Sequence, residues 1–181
     1  QLIRVHDNGH GMNSDDALLC LKRHATSKIR KVDDLQTISS MGFRGEAIPS
    51  IASVSKFTLL TCPKENESSG TLLQVEGGKI IKCSSAARAP GTTIEVHSLF
   101  YNIPVRKKFL KSTAANTAEI HKLVGILALG NPQVRFHLIN QEKTMLSVSP
   151  WDKNSFLDCL GSRIENILGK GFSSALFPIE L

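Results

Sequence analysis

The chain has 181 residues, of which 41% are hydrophobic and 21% charged, with a formal net charge of +6. This composition excludes wholesale disorder, and the length suffices for one good core or for one domain plus part of a second. No apolar run approaches the roughly 20 residues of a membrane-spanning helix, and no stretch reads as a secretory leader.

Taken in chain order, Leu2 to His6 reads as a strand that runs into a glycine turn, Asp7-Asn8-Gly9-His10-Gly11. A helix is predicted from Asn13 or Ser14, either of which can cap it, with Asp15 and Asp16 in the first turn and a stripe of Ala17, Leu18, Leu21 and Ala25. From Thr26 to Ser40 the sequence turns polar, with a short helix expected at 33–38. Gly42-Phe43-Arg44-Gly45-Glu46-Ala47 then leads into a helical segment ending near Val54. Strands follow at 56–62, 71–75 and 79–84, separated by a hairpin loop at 63–70 and a Gly77-Gly78 turn. Pro90-Gly91 precedes Thr92 to His97, which alternates as a half-buried strand does. Tyr101 to Pro104 reads as a linker, and a domain boundary is placed near 100–105. Beyond it the pattern predicts a helix at 113–129 with Ile120, Leu123, Val124 and Leu127 on one face. Asn131-Pro132 ends that helix. A hairpin with strands at 133–139 and 143–148 and a helix at 153–168 complete the readable part. Both chain ends fall inside apparent regular elements, so a fragment is expected.

Several familiar sites are missing. There is no GxxxxGK[ST] run, no HExxH and no GxSxG, and Ser14 stands where Gly9-His10-Gly11 would need a third glycine to form a dinucleotide fingerprint. Cys20, Cys62, Cys83 and Cys159 form no CxxC pair and read as reduced thiols. The six histidines show no metal spacing.

Three short elements carry chemistry. Asp7 at a strand end can accept a hydrogen bond from an exocyclic amine such as that of adenine. Gly9 and Gly11 allow close backbone approach to a flat ring, and Met12 offers a soft apolar contact. A plain turn with a helix cap explains the same residues. Gly42, Phe43, Arg44 and Gly45, followed by a helix, would gather backbone N–H groups suited to phosphate oxygens; an ordinary loop-to-helix junction is the alternative. Thr92, in Gly91-Thr92-Thr93, can help fix the ring through water. The basic stretch is the other feature. Between Tyr101 and Gly125 five basic residues (Arg106, Lys107, Lys108, Lys111 and Lys122) face one acid, Glu119. Such a cluster suits phosphate contacts that read no sequence, although solvated lysines at a domain junction look the same.

The order of these elements resembles the ATPase superfamily of gyrase, the heat-shock chaperones, histidine kinases and MutL. Within it, Arg23-His24-Ala25-Thr26-Ser27-Lys28, the GFRGEA run, Ser50 to Ser55, and Leu99 to Leu110 resemble the MutL family of DNA mismatch-repair proteins. The resemblance is strong from Leu2 to about Leu110 and thins toward Leu181. It implies an α+β fold: a Bergerat-type ATP-binding α/β sandwich over 1–100, with a mixed, mostly antiparallel sheet and helices on one face. Part of a ribosomal S5-like second domain would follow over 101–181. It further implies that Asp7, Gly9, Gly11, Met12 and Thr92 hold adenine. Thr26, Ser27 and Lys28 would belong to a mobile lid, and Gly42, Phe43, Arg44 and Gly45 to a phosphate loop. Arg106, Lys107, Lys108 and Lys111 would contact DNA, Lys111 matching a basic position implicated in that role.

The family's cofactors are ATP and Mg2+. Its general-base glutamate and its Mg2+-binding asparagine lie upstream of Asp7, so no catalytic residue and no metal ligand is assigned within these residues. ATP hydrolysis is expected of the intact protein and not of the fragment. Expected partners are DNA, a second copy or a paralogue on ATP binding, and mismatch-recognition and downstream repair proteins. No membrane is expected. The location implied is the cytoplasm or nucleoid of a bacterium, or the nucleus of a eukaryote. A DNA-binding scaffold with a degenerate nucleotide site is the rival reading. One departure from the family is Ile48-Pro49, where leucine and a small residue are usual; Pro49 is expected to kink the helix there.

Overall fold

A computed structural model of the chain describes residues 1–23, 45–64, 69–151, 156–172 and 177. They divide into two compact units, Gln1–Leu110 and Lys111–Leu181. The division falls a few residues after the expected 100–105. The turn after the last strand of the first unit is tied back to that unit, by Phe100 N–H to Val54 O at 2.7 Å and by Asn102 Nδ2 to Ser53 O at 2.9 Å.

The first unit is a five-stranded sheet with short helices. Its elements are β1 (Leu2–Asp7), α1 (Ser14–Leu19), α2 (Ala47–Ala52), β2 (Lys56–Cys62), β3 (Gly70–Glu76), β4 (Lys79–Ala86), β5 (Gly91–His97) and α3 (Pro104–Lys108). The strand order is β1-β5-β2-β3-β4. All four pairings among the described residues are antiparallel, in keeping with the mostly antiparallel sheet expected. Alternation explains which face is covered. Phe57, Leu59, Leu73, Val75 and Val96 point one way and join Ala17 of α1 and Ala52 of α2 in a single buried cluster. The intervening residues face solvent, where Glu95 accepts from Arg4 Nε at 2.7 Å and pairs with His97 at 3.2 Å. The His97 hydrogen bond, with Arg4 beside it, holds the Glu95 carboxyl below its ordinary pKa, against the effect of burial.

Local chemistry sets the helix starts. Asn13 caps α1 through its side chain, which accepts from Asp16 N–H at 2.8 Å. Pro49 is the third residue of α2, where a backbone N–H has no acceptor inside the helix. The bonds Ser50 N–H to Glu46 O (3.1 Å) and Ser53 N–H to Pro49 O (3.0 Å) form around it. The short helix is thereby closed on both sides of Pro49.

The second unit contains α4 (Thr113–Gly130), β6 (Phe136–Asn140), β7 (Lys143–Val148) and α5 (Phe156–Leu168), with β6 and β7 paired antiparallel. The hairpin turns on Gln141 and Glu142, both at positive φ. Its core is Ala128, Leu146 and Val148, surrounded by Val124, Phe136, Leu138 and Ile167. The face expected of α4 is corrected. Ile120, Leu123 and Ile126 are exposed, and Gly125 and Ala128 are the buried positions. A Cβ on Gly125 would lie 3.0 Å from Ile167 Cγ2, so the small residues are where α4 and α5 come close.

Within this unit Arg163 is 4% exposed. Its guanidinium donates to five carbonyls: Ala128 O (2.8 Å), Ser149 O (2.6 Å), Val134 O (2.8 Å), Asn131 O (3.1 Å) and Pro132 O (3.3 Å). It also lies over the Phe136 ring, 5.8 Å from the centroid.

Candidate functional site

At one end of the first unit's sheet, Asp7 closes β1 directly opposite Thr92 of β5. Asp7 is solvent-exposed, and its two carboxylate oxygens are unequal. Oδ1 accepts from Gly9 N–H at 2.9 Å and from Thr92 N–H at 3.3 Å. Those bonds fix the plane of the carboxylate. Among the described residues Oδ2 has no hydrogen-bond partner, so the group presents one open acceptor.

Two glycines make this end possible. Gly11 has φ +67, and a Cβ there would stand 1.8 Å from Cys62 O. Gly91 has φ +123, and its Cβ would stand 2.2 Å from Asp7 O. Any side chain at either position would push the loop off the sheet. Met12 follows on the same turn and packs against the core cluster of the unit. Its N–H donates to Thr61 Oγ1 at 2.9 Å. Gly9, Gly11, Met12, Asp7 and Thr92 thus share one end of the sheet.

Other members of this arrangement gave no signal in the sequence. Thr61 on β2 is fully buried, beside Thr92 in register, with its hydroxyl 3.1 Å from Thr92 Oγ1 and 3.1 Å from Gly91 O. Arg88, on the loop before β5, donates to Asp7 O at 3.0 Å and to Thr93 Oγ1 at 3.1 Å. Its second amino group donates to Ala89 O at 2.7 Å. His6 Nδ1 bonds with the same Thr93 hydroxyl at 2.8 Å. Arg88 therefore locks the last turn of β1 from the solvent side. Long-range pairing of β5 with both β1 and β2 brings these groups together, and local pattern does not carry it.

Of the remaining expected nucleotide residues, Gly45 lies just before α2 with φ +60. Thr26, Ser27, Lys28, Gly42, Phe43 and Arg44 lie outside the described residues, as does the helix expected at 33–38. Because α2 has only six residues, anion affinity at this junction would rest on loop N–H groups more than on a helix dipole.

The basic residues sort into different settings. Arg106, Lys107 and Lys108 are exposed and form the last turn of α3. Arg106 stacks over the Phe100 ring at 6.0 Å. Lys111, in the second unit, is ion-paired with Glu119. Lys107 and Lys108 therefore present less compensated charge than Lys111, the position the resemblance favoured.

No family model matches the chain. Curated relatives do match it along its length. It is 44% identical over 181 residues, all of this chain, to the DNA mismatch repair protein MutL of Geobacter sulfurreducens. It is 43% identical over 180 residues, 99% of this chain, to the protein of the same name from Xylella fastidiosa strain M12. The chain spans 28% of the length of each of these two relatives. Among solved structures, the Aquifex aeolicus MutL ATPase domain complexed with ADP aligns with TM-score 0.68 and 30% identity, covering 93% of this chain and 57% of that one. A structure described as the N-terminal domain of a DNA repair protein aligns with TM-score 0.74 and 26% identity, covering 99% of this chain and 52% of that one.

Proposed function

Since this chain belongs to the MutL family of DNA mismatch-repair proteins, we propose that its first unit binds the base of ATP at Asp7, and that it serves the intact protein as an ATP-driven dimerisation switch. The carrying observation is the asymmetric Asp7 carboxylate: Oδ1 is held by Gly9 and Thr92, and Oδ2 is open. An oriented carboxylate with one open oxygen suits the exocyclic amine of adenine, and Gly9, Gly11 and Met12 would line the ring. Thr26, Ser27 and Lys28 would form the lid. Gly42, Phe43, Arg44 and Gly45 would contact the phosphates. Closing the lid over ATP would bring two such modules together and couple mismatch recognition to downstream repair.

Mg2+ would arrive on the nucleotide phosphates, which with water supply most of its ligands. Residues 1–6 contain no carboxylate to serve as a general base ahead of Asp7. These 181 residues are therefore expected to bind ATP without useful turnover.

The test is calorimetric titration of the chain with a non-hydrolysable ATP analogue. The Asp7→Ala variant is expected to bind about 10- to 100-fold more weakly, the worth of a hydrogen bond to a charged group. Equal binding by the two proteins would refute the site. No binding by a folded wild-type chain would favour the scaffold reading, in which the nucleotide site is degenerate.

DNA binding without sequence preference is the second part of the proposal, supported by the exposed Lys107 and Lys108 on α3. Replacing both by alanine is expected to weaken duplex binding equally across sequences and to flatten the log–log salt dependence by about 2, near 0.9 per lost phosphate contact. An unchanged slope would remove them from the interface.

A further inference from the structure

Resting on the nucleotide reading above, we infer that Thr61 is the positioning residue that selects a 6-amino purine over a 6-oxo purine, by fixing the direction in which the Thr92 hydroxyl points its proton.

A threonine hydroxyl has one hydrogen to donate and two lone pairs with which to accept. Thr61 is buried and its Oγ1 has three neighbours: Met12 N–H, Gly91 O and Thr92 Oγ1. Met12 N–H can only donate to it. Gly91 O can only accept from it. With both bonds made, the single hydrogen of Thr61 is spent on Gly91 O, and its remaining lone pair can be used only if Thr92 donates. The proton of Thr92 then points inward at Thr61, and Thr92 offers only lone pairs elsewhere.

Thr92 stands opposite Asp7 in the sheet, and its own N–H holds Asp7 Oδ1. The site therefore combines two pure acceptors, the open oxygen of Asp7 and the hydroxyl of Thr92. Directly or through a water, that pair matches an amine, which has hydrogens to give. It opposes a carbonyl at the same ring position, which has none. Asp7 supplies one of these acceptors by its charge. Thr92 supplies the other only because Thr61 sets its polarity, and without Thr61 its hydroxyl is free to turn and donate.

The experiment measures affinities of the 181-residue chain for non-hydrolysable analogues of ATP and ITP, which differ in the 6-amino and 6-oxo groups and in N1 beside them, an acceptor in adenine and an N–H donor in the 6-oxo base. Wild type, Thr61→Ser and Thr61→Val are compared, with a melting curve for each. Wild type is expected to favour the ATP analogue at least about tenfold, and Thr61→Ser to keep that ratio because it keeps the hydroxyl. Thr61→Val is expected to bind the ATP analogue about tenfold more weakly and to prefer it by no more than about threefold. A general loss of packing would lower both affinities and leave their ratio unchanged. A folded Thr61→Val protein with the wild-type ratio overturns the inference. If that variant does not fold, Thr61→Cys, with a weakly hydrogen-bonding thiol, takes its place, and retention of the full ratio overturns it equally. Wild type that binds the ATP analogue without preference defeats the Thr61 inference alone. Wild type that is folded and binds neither analogue defeats the nucleotide reading and this inference with it.

Discussion

Arg163→Ala is expected to destabilise the second unit by about 3–5 kcal/mol, a large share of the stability of a small domain. The guanidinium joins the C-terminal end of α4, the loop that follows it and the residue after β7, by donating to Ala128, Asn131, Pro132, Val134 and Ser149. Carbonyls at a helix C-terminus carry partial negative charge, so a cation is the suited donor there. Removing it leaves acceptors in a place from which water was excluded, and each buried unpaired group costs about 1–3 kcal/mol before relaxation. Burial lowers the guanidinium pKa from its ordinary value, but arginine stays charged at neutral pH. Lysine is a poor substitute, because three donors on one point cannot serve five carbonyls arranged around a fork. Arg163→Lys is thus expected to lose about half as much. Urea unfolding followed by the fluorescence of Trp151, the chain's single tryptophan and a member of this unit, reads the effect directly. A shift of less than about 1 kcal/mol for the alanine variant would mean that water replaces the guanidinium without penalty.

Gly11→Ala is expected to cost about 2–4 kcal/mol and to weaken nucleotide binding more than tenfold, by two additive causes. A left-handed backbone costs a residue with a Cβ about 1–2 kcal/mol. The second cause is steric: the new methyl would sit 1.8 Å from Cys62 O, a backbone atom held in β2 that cannot swing aside. The turn carrying Gly9 and Met12 must lift from the sheet, taking the Met12 N–H away from Thr61. Parallel denaturation and calorimetry on the variant check both effects. Wild-type affinity in Gly11→Ala would mean that the turn does not have to seat against β2 for the base to bind.

These effects differ in how far the sequence announces them. The strand at 56–62 was legible because Phe57 and Leu59 alternate with the polar Lys56 and Thr58 at period 2, and the start of α1 was legible because Asn13 and the two aspartates make a local cap. Asp7, Gly9, Gly11 and Thr92 could be nominated because motif order survives in one dimension. Thr61 could not. It sits in Leu59-Leu60-Thr61-Cys62 and reads as an interior strand position; its work depends on β5 lying alongside β2. Arg88 is silent for the same reason, since its partner is the chain at Asp7, more than 80 residues away. On α4 the error has a different origin. Ile120 and Leu123 carry strong hydropathy at helical spacing, whereas the buried Gly125 and Ala128 carry little and matter for the close approach they permit. Arg163 looks like a solvent-facing charge on an amphipathic helix until the carbonyls around it are seen.

The position of β1 has a consequence for the order of assembly. β2, β3 and β4 are neighbours in sequence and in space, so their hairpins close over short loops. β1 precedes the other four strands of this sheet in sequence, but its sole ladder partner among the described residues is β5, and Leu2 faces His97. That pairing must wait until β5 has been made, and closing so long a loop is slow compared with forming a hairpin. Asp7 meets Thr92 in that same closing step. The base-binding end of the sheet is therefore completed late, and a nascent or partly folded chain holding only the β2–β4 meander has secondary structure but no site with which to sense nucleotide.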